Sequence, residues 1–562
     1  MKHQAVFVGV FVTLLSYFVP LYAQTLPAGP QVLTFHSDVD DTEQPYGLYL
    51  PKNFDPAKKY PFVLMLHGAG SNHRLSLKRV FGKSNLPGEN DVEASRYFQP
   101  WDDVDFIVAA PFARGTMGYQ GIAEQDVWDV VADVKKRFSL DENRMYLTGL
   151  SMGGGGTMWI GLTRPDVWAA IAPVCPAPPP GTESYVTNAF NYPVHFFQGG
   201  ADPVVKPEGT REWVEKFKAA NSAVEYIEFP GVQHNSWENA YQDEFIFKWF
   251  SQFTRNPFPN EVRFSTMQLK YNSAYWIKNL DFSPGTTATI KAKFTGKNSL
   301  EIKTENLDGL TLDLIGHEQF VSSQKLSILI DNQSITIEPG SVKRLTKTNK
   351  KWAQNPEIAT AGMRKNSQTE GPLMEAVSGR HIYVYGTADN PSKEELAARR
   401  KVAENLADWA TYRGEFLGRV MVFPRVLADR EVSAADKASS HLILMGTAQS
   451  NKIVGEMADK LPFQLKEEST ATHGLVYIFP NNNRYVLVNS GLPWWEMPDK
   501  TNNPLARLST PGSIGTLRNF GDYLLFEKSN PEPIVSGRFA NDWTLPAEQK
   551  SRLTTLPYMQ VK

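Results

Sequence analysis

Cysteine is almost missing from this chain of 562 residues: Cys175 stands alone, so no disulfide can close within the chain and stability must come from packed cores. Set in "AAIAPVCPAP", Cys175 reads as a small apolar residue at a strand end rather than a nucleophile. Net charge is nearly missing as well. Lys and Arg number 58 against 60 Asp and Glu, a formal charge of -2, and no dense basic run stands out, which leaves no electrostatic motive for a nucleic-acid partner or an anionic membrane. The ten histidines are scattered, with neither H-E-x-x-H nor paired Cys/His spacing, so neither a metal nor another cofactor is expected. Long apolar runs are lacking except from Ala5 to Val19, between Lys2-His3 and Pro20. That run falls short of the roughly 20 residues a spanning helix needs. Residues 1–23 are therefore expected to be a signal peptide cleaved after Ala23, with the mature chain secreted or periplasmic and without a stable membrane span.

What is present is alternation. From Val32 to about Asn256, short apolar runs such as "PFVLMLHG", "DFIVAAP", "RMYLTG", "WAAIAPV", "PVHFFQG" and "VEYIEFPG" alternate with helical stretches. This pattern predicts an α/β layered sandwich around a mainly parallel sheet. In "EQDVWDVVADVKKRF", Val127, Val130, Val131 and Val134 share one helical face, and "EGTREWVEKFKAA" and "ENAYQDEFIFKWFSQF" behave similarly. After "RNPFPNE" the period changes. From 262 to 348, strand alternation dominates ("TATIKAKF", "SLEIKTE", "LTLDLIG", "LSILID"), predicting a small β-rich domain. Residues 349–372 are polar with little periodicity and read as a linker. From 373 to 562 a second α/β domain is expected: "HIYVYGTAD" and "HLILMGTAQ" share a strand-Gly-Thr-Ala-helix plan, and Ser392 and Glu395 have capping-box spacing. The turns Gly386-Thr387-Ala388 and Gly446-Thr447-Ala448 lack a full phosphate-binding glycine pattern and read as structural.

The chemistry concentrates in the first of these segments. Gly149-Leu150-Ser151-Met152-Gly153 fits G-x-S-x-G, a sharp strand-to-helix turn that exposes a serine nucleophile. A serine hydroxyl needs a base within reach and a third group to orient that base. The order serine, acid, histidine is supplied by Ser151, by Asp202 in "GGADPVV" beyond one strand, and by His234 in "VQHNSW" beyond the next. Asp243 is a weaker rival acid, while His195, His67 and His73 are rival bases. Oxyanion donors are expected from the backbone N–H of Met152 and of a residue in the turn His67-Gly68-Ala69-Gly70, with Ala69 favoured.

Together "LHGAGSN", "YQGIAEQDVWDVV", "DENRMYLTGLSMGGGGTMWIGLTRPDVWAAIAPVC", "GGADPVV" and "HNSW" resemble the exported esterase branch of the α/β-hydrolases. That branch groups feruloyl and acetyl-xylan esterases with polyhydroxybutyrate-depolymerase-like proteins and shades into prolyl-oligopeptidase-type peptidases. The resemblance spans Val32 to Phe253. It implies a hydrolase domain over 32–255, with Ser151 as nucleophile, Asp202 as acid, His234 as base and Met152 with the first-strand turn as oxyanion hole. A prolyl-oligopeptidase propeller would precede the hydrolase, where only a signal-like segment stands, which weakens the peptidase reading.

The expected function is thus a secreted serine esterase acting on carboxylic esters, with feruloyl or acetyl groups on a polysaccharide as the leading substrate. A prolyl-oligopeptidase-type peptidase is the first alternative. A catalytically silent carbohydrate-binding or scaffold protein is the second, for which Trp494 and Trp495 in "GLPWWEMP" offer either a sugar platform or core packing. Arg114 in "FARGTMGYQG" either lines the pocket or pairs internally.

Overall fold

A computed structural model describes residues 26–355, 363–410, 420–500, 512–528, 530 and 532–562; the expected signal peptide lies outside them. The fold is mixed α/β, with one large sheet rich in parallel strands and further β-rich sheets. Among the described residues no helix is long and apolar enough to cross a membrane.

The large sheet has eight strands: β1 (Gly29–Ser37), β2 (Thr42–Leu50), β3 (Tyr60–Leu66), β4 (Ile107–Pro111), β5 (Leu140–Leu150), β6 (Ala170–Val174), β7 (Val194–Gly199) and β8 (Val224–Phe229). Their order is β1-β2-β4-β3-β5-β6-β7-β8, parallel from β4 to β8 and antiparallel at β1 and β2. The apolar runs of the sequence become β3 to β8. The β1–β2 hairpin escapes such reading because β1 is a half-exposed edge strand without an apolar run. Helices cover both faces. Val127, Val130, Val131 and Val134 of the helix Ile122–Arg137 are buried, and the helix Met152–Thr163 is buried along its whole length.

The stretch 238–253, expected to be one helix, is broken. Helix Trp237–Ala240 ends before Asp243 and Glu244, which take φ of 54° and 56°, and a new helix runs over Phe245–Phe250. The break turns Tyr241 inward, where its hydroxyl meets Thr148 Oγ1 at 2.8 Å, and seats Phe247 and Phe250 in the core. Helical period alone does not register a kink carried by two left-handed residues.

Beyond residue 256 a five-stranded and a four-stranded sheet enclose a separate core containing Trp276, Phe294 and Ile328. The expected linker is corrected in part. Lys351–Gln354 pairs with Arg344–Thr348 as the last strand of the four-stranded sheet, held by buried Trp352, whose Nε1 donates to Asp331 at 2.9 Å. Residues 356–362 lie outside the described residues, and in the segment after them Lys365, Thr369, Glu370 and Gly371 are buried between exposed neighbours. Lys365 forms a buried ion pair with Asp522 at 2.5 Å. Burial beside Glu375 pushes the Glu370 carboxyl up to about 8, and it accepts hydrogen bonds from the backbone N–H groups of Leu269 and Lys270.

The last sheet has seven strands. Arg425–Ala428, His381–Tyr385, His441–Met445 and Arg484–Gly491 run parallel, and His473–Asn481, Tyr523–Glu527 and Val535–Gly537 continue antiparallel. The two Gly-Thr-Ala turns pack on each other at the ends of adjacent strands: Ala388 N–H donates to Ser450 O at 3.0 Å, and a Cβ on Gly386 would lie 2.2 Å from that oxygen. The turn N–H groups are already engaged, Thr387 with Asp429, Ala388 with Ser450 O and Thr447 with Ser450 Oγ. Ser392 Oγ accepts from Glu395 N–H at the start of the helix Lys393–Ala407, which makes half of the expected capping box. Trp494 is buried, with Nε1 bonded to Ser513 O at 2.6 Å, and Trp495 packs edge-on against it. Both serve the core rather than an open platform.

Arg114 is fully buried. It meets Asp40 at 2.6 Å and Asp126 at 2.7 Å, and also reaches Ser37 Oγ and the Met421 carbonyl, so it ties the β1–β2 turn to the C-terminal part of the chain. Of the two readings open for it, the internal ion pair is the one found. Arg114→Met is expected to destabilise the fold by about 3–5 kcal/mol, because two buried carboxylates lose their counter-charge. Urea unfolding followed by tryptophan fluorescence checks this; an unchanged midpoint would contradict it.

Candidate active site

The site is built where β5 turns into the helix Met152–Thr163. Ser151 sits in that turn with φ 55° and ψ -117°, a region costly for a residue with a Cβ, so the surrounding packing must hold it there. Glycine is required on both sides. A Cβ on Gly149 would lie 2.4 Å from Gly153 O, and one on Gly153 would lie 2.2 Å from Leu66 O, so only bare backbone lets helix, β5 and β3 approach this closely.

The loops beyond β7 and β8 bring the expected partners to Ser151. His234 Nε2 is 3.0 Å from Ser151 Oγ, and His234 Nδ1 is 2.8 Å from Asp202 Oδ2. Asp202 is itself tightly held: Oδ1 accepts from the N–H groups of Val204 and Val205 at 2.8 and 2.9 Å, and Oδ2 accepts from Gln198 Nε2 at 3.1 Å. Burial pushes the Asp202 carboxyl up, but the bonds from His234, Val205 and Val204 outweigh it and keep the pKa below the ordinary 3.8. It stays ionised through the neutral range. His234 is 21 % exposed at its side chain, open enough to meet a substrate, and its ring is edge-on to Trp237 at 5.5 Å.

The rivals lie elsewhere. Asp243 is exposed in the kink. His195 is buried in β7 against Phe197, and burial lowers its pKa to about 4. His73 is lowered to about 3 by burial. Both ring nitrogens of buried His67 face carbonyl oxygens, Gly68 O and Phe112 O, each at 2.8 Å.

Sequence reasoning misses the supports of the site. Gln198 orients Asp202 and is itself held by Thr210 Oγ1 at 2.8 Å. The Cys175 thiol donates to the His234 carbonyl at 3.5 Å, and burial pushes it up to about 12, so it supplies neither nucleophile nor thiolate ligand. The turn at Gly68–Gly70 is pinned by Tyr119, whose hydroxyl donates to His67 O at 2.9 Å, and by Thr116, whose Oγ1 accepts from Gly70 N–H at 2.9 Å. "GTMGYQG" carries a turn signal but nothing in it announces those bonds. The turn comes close to the serine: a Cβ on Gly68 would lie 3.5 Å from Ser151 Cβ. Met152, first in its helix, has an N–H with no carbonyl to meet within that helix.

A cavity of about 770 Å³ opens beside Met152, lined by Tyr119, Gly156 and Trp159 of the same segment and by Gln268, Met374 and Trp409 from later in the chain.

Residues 40–248 match the family model described as "Putative esterase". A poly(3-hydroxybutyrate) depolymerase of Ralstonia pickettii is 36% identical over 159 residues, covering 24% of this chain and 30% of that protein. The chain thus spans under a third of the length of this curated relative. Among solved structures, a thermostable esterase is 26% identical over 40% of this chain and 63% of its own, with a TM-score of 0.34. A ferulic acid esterase of Anaeromyces mucronatus is 20% identical over 38% of this chain and 87% of its own, with a TM-score of 0.29. Over residues 40–248 this chain is thus similar to the esterase family and, in part, to a poly(3-hydroxybutyrate) depolymerase.

Proposed function

We propose that this chain is an exported serine esterase that cleaves carboxylic esters through an acyl-enzyme on Ser151. The observation that carries the proposal is the unbroken hydrogen-bonded chain from Ser151 Oγ through His234 to Asp202. As Oγ attacks the ester carbonyl carbon, its proton passes to His234 Nε2, and Asp202 steadies the imidazolium that forms. The backbone N–H groups of Met152 and Ala69 are the donors assigned to the developing oxyanion. His234 then gives the proton to the departing alkoxide, releasing an alcohol and leaving an acyl-serine. Water, deprotonated by the same nitrogen, frees the acid and restores Ser151.

Ester chemistry is supported by the family match. Feruloyl or acetyl groups on an extracellular polysaccharide are the substrates we favour, given the export signal read in residues 1–23. The test is hydrolysis by the purified mature chain, side by side on methyl ferulate, acetylated xylan, short-chain nitrophenyl esters and a prolyl peptide. Turnover of the sugar-linked or aromatic esters is expected. Turnover of the peptide alone would move the chain to the peptidases, and none at all would favour a silent scaffold.

A further inference from the structure

A second cavity, of about 300 Å³, is walled on one side by Asp38 and Gln125 of the hydrolase segment. Its other wall is His441 and Arg484 of the seven-stranded sheet, with Gly379 and Arg380 from the stretch leading into that sheet. None of Ser151, Asp202 and His234 is among its lining residues. The volume stands at the low end of the ~300–1,000 Å³ typical of small-molecule sites, room for one sugar-sized molecule.

Several polar groups around this cavity are uncommitted. His441 is only 8 % exposed, and its Nδ1 accepts the Tyr485 N–H at 2.9 Å, which puts the ring proton on Nε2. Burial and the Arg484 charge hold its pKa down to about 3, so the ring is neutral and Nε2 is a fixed donor. That nitrogen has no hydrogen-bond partner among the described residues, yet it keeps accessible surface, and the cavity is what it opens onto. Arg484 gives Nε to the Ala438 carbonyl at 3.3 Å and leaves both Nη groups without a protein partner among the described residues. The Gln125 amide and the Asp38 carboxylate are likewise unpaired among them. Arg380, by contrast, is turned to Asp41 at 2.6 and 2.7 Å, and Glu375, also in the lining, holds Lys270 at 3.1 Å. A Cβ on Gly379 would lie 3.7 Å from His441 Nε2 and 3.8 Å from Gln125 Oε1, so donor and acceptor face one space that the glycine leaves open.

The two walls differ in kind. The hydrolase side offers acceptors, Asp38 and Gln125 Oε1, and the sheet side offers donors, His441 Nε2 and Arg484, and they do not bond to each other across the gap. A molecule that satisfies both walls must accept on one side and donate on the other. A carboxylate matches the Arg484 fork, and hydroxyls match Asp38 and Gln125. A phosphate dianion would meet two carboxylates, Asp38 and Glu375, with one uncommitted cation, and a plain aliphatic acid would leave the acceptors unmet.

We propose that this cavity is a binding site for a sugar acid the size of one hexuronate, its carboxylate held by Arg484 and His441 and its hydroxyls by Asp38 and Gln125. Arg484 sets the requirement for a negative charge. Because the walls come from two parts of the chain, the bound ligand ties them together and stabilises the fold. The inference stands apart from the esterase reading.

The test is calorimetric titration of the full mature chain with D-galacturonate, D-galactose, acetate and inorganic phosphate, with thermal melts in parallel. Galacturonate is expected to bind at least about 10-fold tighter than the other three and to raise Tm. Arg484→Gln should weaken it at least about 10-fold, and Gly379→Ala, whose methyl meets nothing closer than 3.7 Å, about 5-fold or more. Ester turnover should stay within twofold of wild type in both. A trigalacturonate titration tells the source: tighter binding than the monomer marks a residue of a polymer, and equal binding marks the free acid. No binding of galacturonate, equal or tighter binding of galactose, acetate or phosphate, or unchanged affinity in whichever variant folds would overturn the proposal.

Discussion

Ser151→Ala is expected to lower ester turnover by at least about 10³-fold with no loss of fold. The magnitude follows from what is removed. Without Oγ no acyl-enzyme forms, and His234 Nε2 loses the partner that stands 3.0 Å away. What remains is the oxyanion turn and the substrate pocket, which can still assist attack by water, so activity falls steeply without vanishing. The strained φ of 55° is imposed by β5 and the buried helix, not by the hydroxyl, so alanine inherits the same backbone. Parallel thermal melts and kcat values check both halves of the expectation; retained turnover would remove Ser151 from the chemistry.

Asp202→Asn should cost about 10⁴ in kcat with little change in KM. The surrounding bonds dictate how asparagine must sit. The Oδ1 position is claimed by two backbone N–H groups, those of Val204 and Val205, so the amide oxygen is held there and the amide nitrogen occupies the Oδ2 position. That nitrogen would then donate to His234 Nδ1, which accepts it only with its own proton moved to Nε2. A protonated Nε2 cannot take the Ser151 proton. The same flip sets the amide nitrogen against Gln198 Nε2, two donors 3.1 Å apart. Steady-state kinetics on a nitrophenyl ester measure the effect, and a loss under tenfold would mean that Asp202 does not set the tautomer.

Much of this site is legible in the sequence because its parts are local. The glycines around Ser151 are forced by close backbone contact, and Asp202 and His234 each follow a recognisable apolar strand, so order and loop placement suffice to name them. Strands β3 to β7 are legible for the same reason, since buried parallel strands are continuous apolar runs, whereas the half-buried edge strand β8 carries two glutamates in its apolar run. What escapes is long-range or conformational. The bonds from Tyr119 to His67, from Thr116 to Gly70 and from Cys175 to His234 join segments 46 to 59 residues apart and leave no periodic trace. The kink at Asp243–Glu244 is hidden inside an amphipathic pattern that either conformation satisfies. The cavity beside Met152 brings Met374 and Trp409 to a helix more than two hundred positions earlier, and Arg114 reaches the Met421 carbonyl across 307 positions. Such closures depend on how the sheets pack together, which composition and spacing do not encode.

The account turns on Ser151 being a nucleophile activated by His234, and covalent labelling tests that most directly. The full chain is treated with a fluorophosphonate, and the adduct is located by intact mass and peptide mapping. The expected result is a single adduct on the peptide carrying Ser151, formed in proportion to loss of ester turnover and suppressed in His234→Ala. An adduct on another residue, or full ester turnover with Ser151 blocked, would contradict the account.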